Sequence, residues 1–382
     1  VIDAQGAVRR PGGAAAPFAS LRGVAPRAID GALPLLTLAA GLAGFSVFLL
    51  LTGHSPATFY ALVWKAGFGT AFSWSNTLSR AAPLLLAALC VALPARLGLI
   101  VIGGEGAIVL GGVAAGGLGA VLTDGLTSLM LMGLTAALVG GAWIGAAGWL
   151  RHRRGVNETI SSLLLAYIAI ALMNHLVEGP LRDPASLNKP STAPLGEAER
   201  IGTIPGLDVH WGLATGVLAC LACWALLRFT TLGFAARIVG GNPRAAALQG
   251  LPVGALVIGS CALGGALAGL AGFFEVAAVQ GSANASLAAG VGLTGILVSF
   301  LARHHPLGIV PVAILLAGFE ASSGLVQRRM DLPDATMLVL QGFVFVAILV
   351  GETLRGRAFS RAAPVAPAAP VGNVAPIGVE AR

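Results

Sequence analysis

The sequence predicts an all-α fold, a polytopic membrane helix bundle of about ten transmembrane helices with both termini in the cytoplasm. Three observations predict it. Hydrophobic residues make up 56% of the 382 and charged residues only 10%, against about 25% charged in a typical soluble domain. Uncharged runs near the length that crosses a bilayer recur along the chain. Lys and Arg gather in alternate connections between those runs. Such a composition cannot dress a soluble surface, which excludes a soluble enzyme or a soluble nucleic-acid-binding domain. The net charge of +7 is spread over short segments, not gathered in one patch as nucleic-acid binding requires.

Taken in order, the apolar runs lie near residues 32–52, 81–95, 97–122, 126–150, 159–178, 211–228, 253–280, 286–302, 306–325 and 335–352. Ten is even, so both termini share a side. With the N-terminus inside, 16 Lys and Arg fall on the inner side and seven on the outer side, as the positive-inside rule requires. The protein is therefore expected in the bacterial cytoplasmic (inner) membrane, with the lipid bilayer as a partner and no nucleic acid. Residues 1–31, with Arg9, Arg10, Arg22 and Arg27, read as an uncleaved cytoplasmic tail. Residues 32–352 form the transmembrane domain, with a cytoplasmic segment at 229–252. Residues 353–382 read as a cytoplasmic, disordered tail, because their Ala- and Pro-rich end offers little to bury. The longest outer connection, 179–210, reads as a loop with a short surface helix.

Glycine is concentrated within the runs. Gly112 and Gly116, Gly141 and Gly145, and Gly265 and Gly269 are GxxxG pairs, which let helix backbones approach closely. The glycines between Ile102 and Gly119 predict a broken helix. Cys90, Cys220, Cys223 and Cys261 all fall in apolar runs and read as packing thiols. The only lysines, Lys65 and Lys189, are followed by Ala and Pro, so the chain has no Gly-Lys-Ser/Thr phosphate loop. It has no HExxH or GxSxG either, and is expected to catalyse nothing and to bind no cofactor directly.

Glu105, Glu275 and Glu320 lie within apolar runs, and no Lys or Arg does. An acid in hydrocarbon costs at least about 2.5 kcal/mol, so each is expected to face the bundle interior or a wet cavity. Glu105, about 12 Å above the inner end of its run, is the most informative of the three. With no cation in the membrane, neutral or cationic cargo is favoured over anionic cargo.

The segment 229–252 is punctuated. Asn242 can cap a short helix that Pro243 begins and Gly250 ends, lying across the inner face. Ala246→Asp on that helix is expected to uncouple a docked partner.

Four segments together resemble the permeases of ABC importers for branched-chain amino acids and simple sugars, closest to the branch for nucleosides and simple sugars. They are Ile102-Gly-Gly-Glu-Gly106; Gly155-Val-Asn-Glu-Thr-Ile160 running into Tyr167-Ile-Ala; Gly233 to Gly250 with its Gly-x-Asn-Pro-x-Ala-Ala; and Gly290-Val-Gly-Leu-Thr-Gly-Ile296 ahead of His305-Pro-Leu-Gly308. The resemblance implies a transport subunit that pairs with a second permease as a hetero- or homodimer. It implies an ABC ATPase that uses ATP on the cytoplasmic face and an extracytoplasmic solute-binding protein. It places Gly103, Glu105, Gly106, Asn157, Glu158 and Glu275 along the substrate path. It makes Arg237, Gly240, Asn242, Pro243, Ala245, Ala246 and Gly250 a coupling helix and its supports. The expected cargo is a small neutral solute, a nucleoside first and a simple sugar second, moved inward by alternating access. Val101, Ala107, Ala166 and Gly264 stand where the family commonly carries Asn, Gln, Asn and Ser, which predicts a cavity less polar than the family pattern; either the cargo is less hydroxylated than a sugar, or selectivity rests in the binding protein, or these positions only pack helices. The alternatives are an ion-coupled secondary transporter using the intramembrane acids, a permease for branched-chain amino acids, and a non-transporting assembly protein.

Overall fold

A computed structural model describes residues 26–122, 125–186 and 189–362. Among them the regular structure is helical, in chain order α1 (Pro26–Leu51), α2 (Pro56–Gly67), α3 (Ala71–Ala95), α4 (Gly104–Gly119), α5 (Leu126–Arg154), α6 (Glu158–Glu178), α7 (Gly212–Phe229), α8 (Thr231–Gly241), α9 (Pro243–Leu248), α10 (Val253–Phe274), α11 (Val291–Leu301), α12 (Pro306–Met330) and α13 (Ala335–Ala362). Six of these are long and apolar enough to cross a membrane, and four shorter apolar stretches accompany them. The expected tails at 1–25 and 363–382 lie outside the described residues. Helix α1 starts at Pro26, within the range read as a tail, and α13 runs on to Ala362.

Two of the starts that differ from the sequence reading are explained by local capping. Helix α2 is unpredicted: Ser55 accepts the Thr58 N–H at its N-terminus and Pro56 occupies the first turn, a favourable start for 12 residues too short to span. Helix α3 begins ten residues ahead of the apolar run at 81, because Thr70 accepts the Ser73 N–H at 3.1 Å. This adds a polar first half carrying Asn76, Ser79 and Arg80. From Ala81 to Pro94 every residue of α3 is buried. The helix is thus the central post against which α7, α10, α11 and α12 pack.

The expected break between Ile102 and Gly119 is displaced. Helix α4 is continuous over 16 residues, and the irregular backbone precedes it at 97–103, where Leu97, Leu99 and Val101 are buried. Non-helical backbone at this depth needs partners, and α6 supplies them. Ser162 Oγ accepts the Ile102 N–H at 3.1 Å, Glu158 Oε1 accepts the Ile100 N–H at 3.5 Å, and Thr159 Oγ1 donates to the Ile100 carbonyl at 2.8 Å.

The glycine pairs pack helices. Gly265 and Gly269 of α10 lie against the backbone of Ala136 and Gly140 on α5, and Gly112 of α4 lies near the Gly272 carbonyl of α10. A side chain at these seams would strike a neighbouring carbonyl, so the absence of Cβ sets the helix separation.

Connections tie each end of the bundle together. At one end Arg96 Nη2 donates to the His304 carbonyl at 2.8 Å, Gly240 of α8 rests on the Arg96 backbone, and Arg151 pairs with Glu158 at 3.2 Å. At the other end the 179–210 connection is more ordered than a loop. Its Thr192, Leu195 and Ile201 N–H groups donate to the carbonyls of Ala283, Gly281 and Ala277 at 2.8–2.9 Å, and a single 3-10 turn forms at Glu197–Glu199.

Candidate functional site

The largest change that the three-dimensional arrangement makes concerns charge. Because α3 begins early, Arg80 sits on it in a cavity of about 490 Å3 bounded by α3, α10, α12 and α13. The inference that no cation lies within the bundle is corrected here: the short polar half of α3 falls outside the apolar run but inside the fold. Glu275 and Glu320 line the same cavity, and Arg80 acts on both electrostatically.

Each acid is placed by a local feature. After Phe274, α10 widens into a π-helical turn over Glu275–Gln280, a distortion frequent at functional sites, which brings Glu275, Val279 and Gln280 to the cavity wall. Gln280 Oε1 is buried without a hydrogen-bond partner. Glu320 is held by a compact network: Thr294 Oγ1 of α11 donates to Glu320 Oε1 at 3.0 Å and lies 3.2 Å from Gln341 Oε1, while Gln341 Nε2 of α13 donates to Glu320 Oε1 at 3.2 Å. Three helices therefore meet on one carboxylate.

The rim is also polar. Lys189 Nζ donates to Ser286 Oγ at 2.7 Å, linking the 179–210 connection to the cavity wall. A second hollow, of about 520 Å3, shares Asn76 and Ser79 with the first and reaches Asp208. His210 lies behind this mouth. Its Nδ1 accepts the Gly212 N–H and its Nε2 lies 3.1 Å from the Ser79 carbonyl. That pattern requires the proton on Nε2, and burial lowers the pKa of the ring below its usual value, favouring the neutral form.

The expected path residues divide. Glu275 lines the cavity. Glu105 is buried beside it but is committed to backbone: its carboxylate accepts the N–H groups of Gly290, at 2.8 Å, and Gly292 at the start of α11. The second residue of α4 thus caps the N-terminus of a different helix, where a negative charge is favourable. Gly103 and Gly106 bring α4 against Ser162 and Ala166 of α6. Asn157 caps α6, accepting from Thr159 and Ile160 at 2.9 and 3.3 Å, and Glu158 is paired with Arg151. Neither Glu105 nor any of these four lines the cavity. Glu320, Arg80 and Gln341 are wall residues absent from the expected path; the cap at Thr70 was the signal for Arg80.

The four departures from the family pattern turn out to pack. Val101 and Ala107 are fully buried, Ala166 meets Gly106, and Gly264 sits on the backbone of Cys90. Ten of the 18 residues that line the cavity are polar or charged, the wall being drawn from other positions.

In the 229–252 segment Asn242 Oδ1 accepts the Arg244 and Ala245 N–H groups at 3.1 Å, and Pro243 opens α9. Gly250 follows with φ +80°, the left-handed conformation that ends a helix. A second helix, α8 with Arg237, precedes it, and Gly240 seats it on Arg96. Ala246 is fully buried, so its side chain faces the bundle rather than a partner. The exposed residues of α9 are Pro243, Arg244, Ala247 and Leu248, the last 90% exposed.

Comparison with known proteins agrees with this architecture. The family model described as "Branched-chain amino acid transport system / permease component" matches residues 73–349. The chain is 32% identical over 351 residues to the glucose ABC transporter permease protein TsgB13 of Haloferax volcanii, covering 88% of this chain and 92% of that protein. It is 32% identical over 340 residues to the guanosine ABC transporter permease protein NupP of Bacillus subtilis, covering 85% and 94%. It is 26% identical over 331 residues to the probable riboflavin import permease protein RfuC of Treponema pallidum, covering 85% and 86%. No solved structure matches. The chain belongs to this permease family and is a multi-pass membrane permease subunit of an ABC importer.

Proposed function

We propose that the cavity between α3, α10, α12 and α13 admits a small neutral, hydroxyl-bearing solute, a nucleoside first and a simple sugar second, and that α8 and α9 couple its passage to ATP hydrolysis on a partner ATPase. The observation that carries this is the cavity's position and lining. It lies at the end of the bundle opposite the 229–252 segment, and its volume falls within the usual range of about 300–1,000 Å3 for small-molecule sites. Its wall offers donors and acceptors from Asn76, Ser79, Gln280, Ser323 and Gln341. Glu275, Glu320 and Asp334 outnumber Arg80 on the wall, which disfavours an anion.

The guanosine and glucose named for two relatives support the same classes of cargo. The energy source lies on another subunit, since the chain has no phosphate loop. Ten crossings with both termini cytoplasmic, a second permease and an extracytoplasmic binding protein complete the assembly in the inner membrane. Rocking of the bundle driven through α8 and α9 gives alternating access.

A zwitterionic amino acid is the second reading, favoured by Arg80 as a partner for its carboxylate. The test is uptake by the reconstituted complex from a panel of guanosine, glucose and leucine. ATP-dependent accumulation of guanosine or glucose but not leucine is expected. Accumulation of leucine alone would replace the first reading with the second.

A further inference from the structure

A second, smaller pocket at the opposite end of the bundle has no part in the proposed solute path. Its volume is about 190 Å3, and Arg96, Arg228, Arg237 and His305 line it together with Trp224. Four basic side chains converge here, and none of the described residues that line the pocket carries a carboxylate. The segment 229–252 and the turn 302–305 contain no Asp or Glu. Arg151 at this end is paired with Glu158, away from the pocket lining. Arg96 Nε is buried and has no hydrogen-bond partner. Burial and the neighbouring Arg237 charge both lower the pKa of Arg96 below its usual value, as expected when cations are crowded without an anion.

The surroundings specify what kind of anion fits. Leu227 and Gly233 form a wall common to this pocket and to an apolar crevice of about 210 Å3, lined by Leu93, Leu97, Leu226, Leu256 and Leu263 among others. Leu218, Leu221 and Phe229 of α7 expose apolar surface beside it, as a lipid-facing helix does. Trp224 stacks edge-on against Phe229 at 5.3 Å, in the manner of aromatic side chains at a membrane interface. A cationic pocket joined to an oily crevice at the end of a lipid-facing helix matches an anionic headgroup joined to an acyl chain.

We infer that Arg96, Arg228, Arg237 and His305 hold the headgroup phosphate of an anionic phospholipid, one acyl chain of which lies in the crevice between α3, α7, α8 and α10. The lipid then bears on α8, the helix seated on the Arg96 turn, so the anionic content of the membrane biases the 229–252 segment.

The test uses the full complex, purified and equilibrated with vesicles of equal parts phosphatidylethanolamine and phosphatidylglycerol, with retained lipid read by native mass spectrometry. Phosphatidylglycerol should be enriched by about fivefold or more, as about one basic contact alone provides. Arg228→Gln should remove most of the enrichment and Arg228→Lys should keep it. Gly259→Phe fills the crevice, where a side chain at Gly259 meets open space; it should weaken retention with every charge in place. Equal retention of the two lipids overturns the inference, as does enrichment indifferent to Arg228→Gln. Displacement of the lipid by inorganic phosphate, or retention untouched by Gly259→Phe, makes this a plain phosphate pocket. Enrichment seen in the isolated permease and absent from the complex assigns the arginines to a carboxylate of the ATPase instead.

Discussion

Glu105, on the first turn of α4, accepts the backbone N–H of Gly290, 185 residues away in the chain, at 2.8 Å. With the Gly292 N–H on its other oxygen, this carboxylate joins the starts of two shortened helices, α4 and α11, beside the cavity wall at Val291. The bond is a structural tie, and it explains an acid at membrane depth without requiring it to touch solute.

Glu105→Ala removes the acceptor of the buried Gly292 N–H and the part-buried Gly290 N–H, and an unpaired buried donor costs about 1–3 kcal/mol. The expected result is a loss of about 3 kcal/mol of stability and less folded protein in the membrane, measured by thermal unfolding in detergent. Glu105→Gln should lose less, because its amide oxygen keeps one acceptor. Full stability in Glu105→Ala with selective loss of transport would return Glu105 to the solute path.

Glu320 is expected to behave in the opposite way. Glu320→Gln keeps the contacts with Thr294 and Gln341 in altered polarity, so the protein should insert normally while the KM for uptake rises by up to about tenfold, the worth of one or two hydrogen bonds. Glu275→Gln at the π-helical turn should raise KM similarly. Initial-rate uptake by the reconstituted complex, normalised to inserted protein, separates the two outcomes.

In the coupling segment the exposed and buried faces of α9 should separate partner binding from folding. Leu248→Asp, at a side chain 90% exposed, should abolish co-purification of the ATPase and leave insertion intact. Ala246→Asp buries a carboxylate without a partner and should reduce folded protein instead. Co-purification assays with both variants check the assignment; an intact ATPase complex with Leu248→Asp counts against docking through this tip.

Acid should loosen the α11–α12 turn. His304 bonds Ser299 Oγ through Nδ1 at 2.8 Å, and burial together with the Arg96 charge lowers its pKa from the usual 6.5 to about 4. The unfolded chain therefore takes up this proton first as pH falls. The contribution of the neutral ring is complete above about pH 6.5 and is lost progressively towards about pH 4. His304→Gln should flatten that part of a stability-versus-pH profile, measured by thermal unfolding.

The sequence made the long elements legible for a simple reason: burying about 20 residues in a bilayer leaves an unbroken apolar run. It marked the α9 cap as clearly, since Asn242, Pro243 and Gly250 act through local backbone geometry. It hid what depends on partners distant in the chain. The 12 residues of α2 carry Lys65 and fall short of a span, so nothing in their hydropathy announces them. Arg80 directly precedes the apolar run at 81 and so reads as part of a connection, though Thr70 caps a helix that carries it into the cavity. Glu105 and Glu320 look equivalent as buried acids. Only the long-range placement of Gly290, Thr294 and Gln341 makes one a tie and the other a wall residue. Ala246 could not be oriented by sequence, because six residues of helix are too few to show a face.

The central claim is that solute enters through the cavity between α3, α10, α12 and α13 and that ATP drives its passage. The most direct measurement is uptake of labelled guanosine and glucose by proteoliposomes holding the complete complex, comparing the wild type with Ser323→Trp, which fills the cavity from α12. ATP-dependent accumulation of at least one solute is expected in the wild type and none in Ser323→Trp, with equal amounts of assembled complex. Undiminished uptake through the filled cavity, or accumulation driven by a proton gradient without ATP, would contradict it.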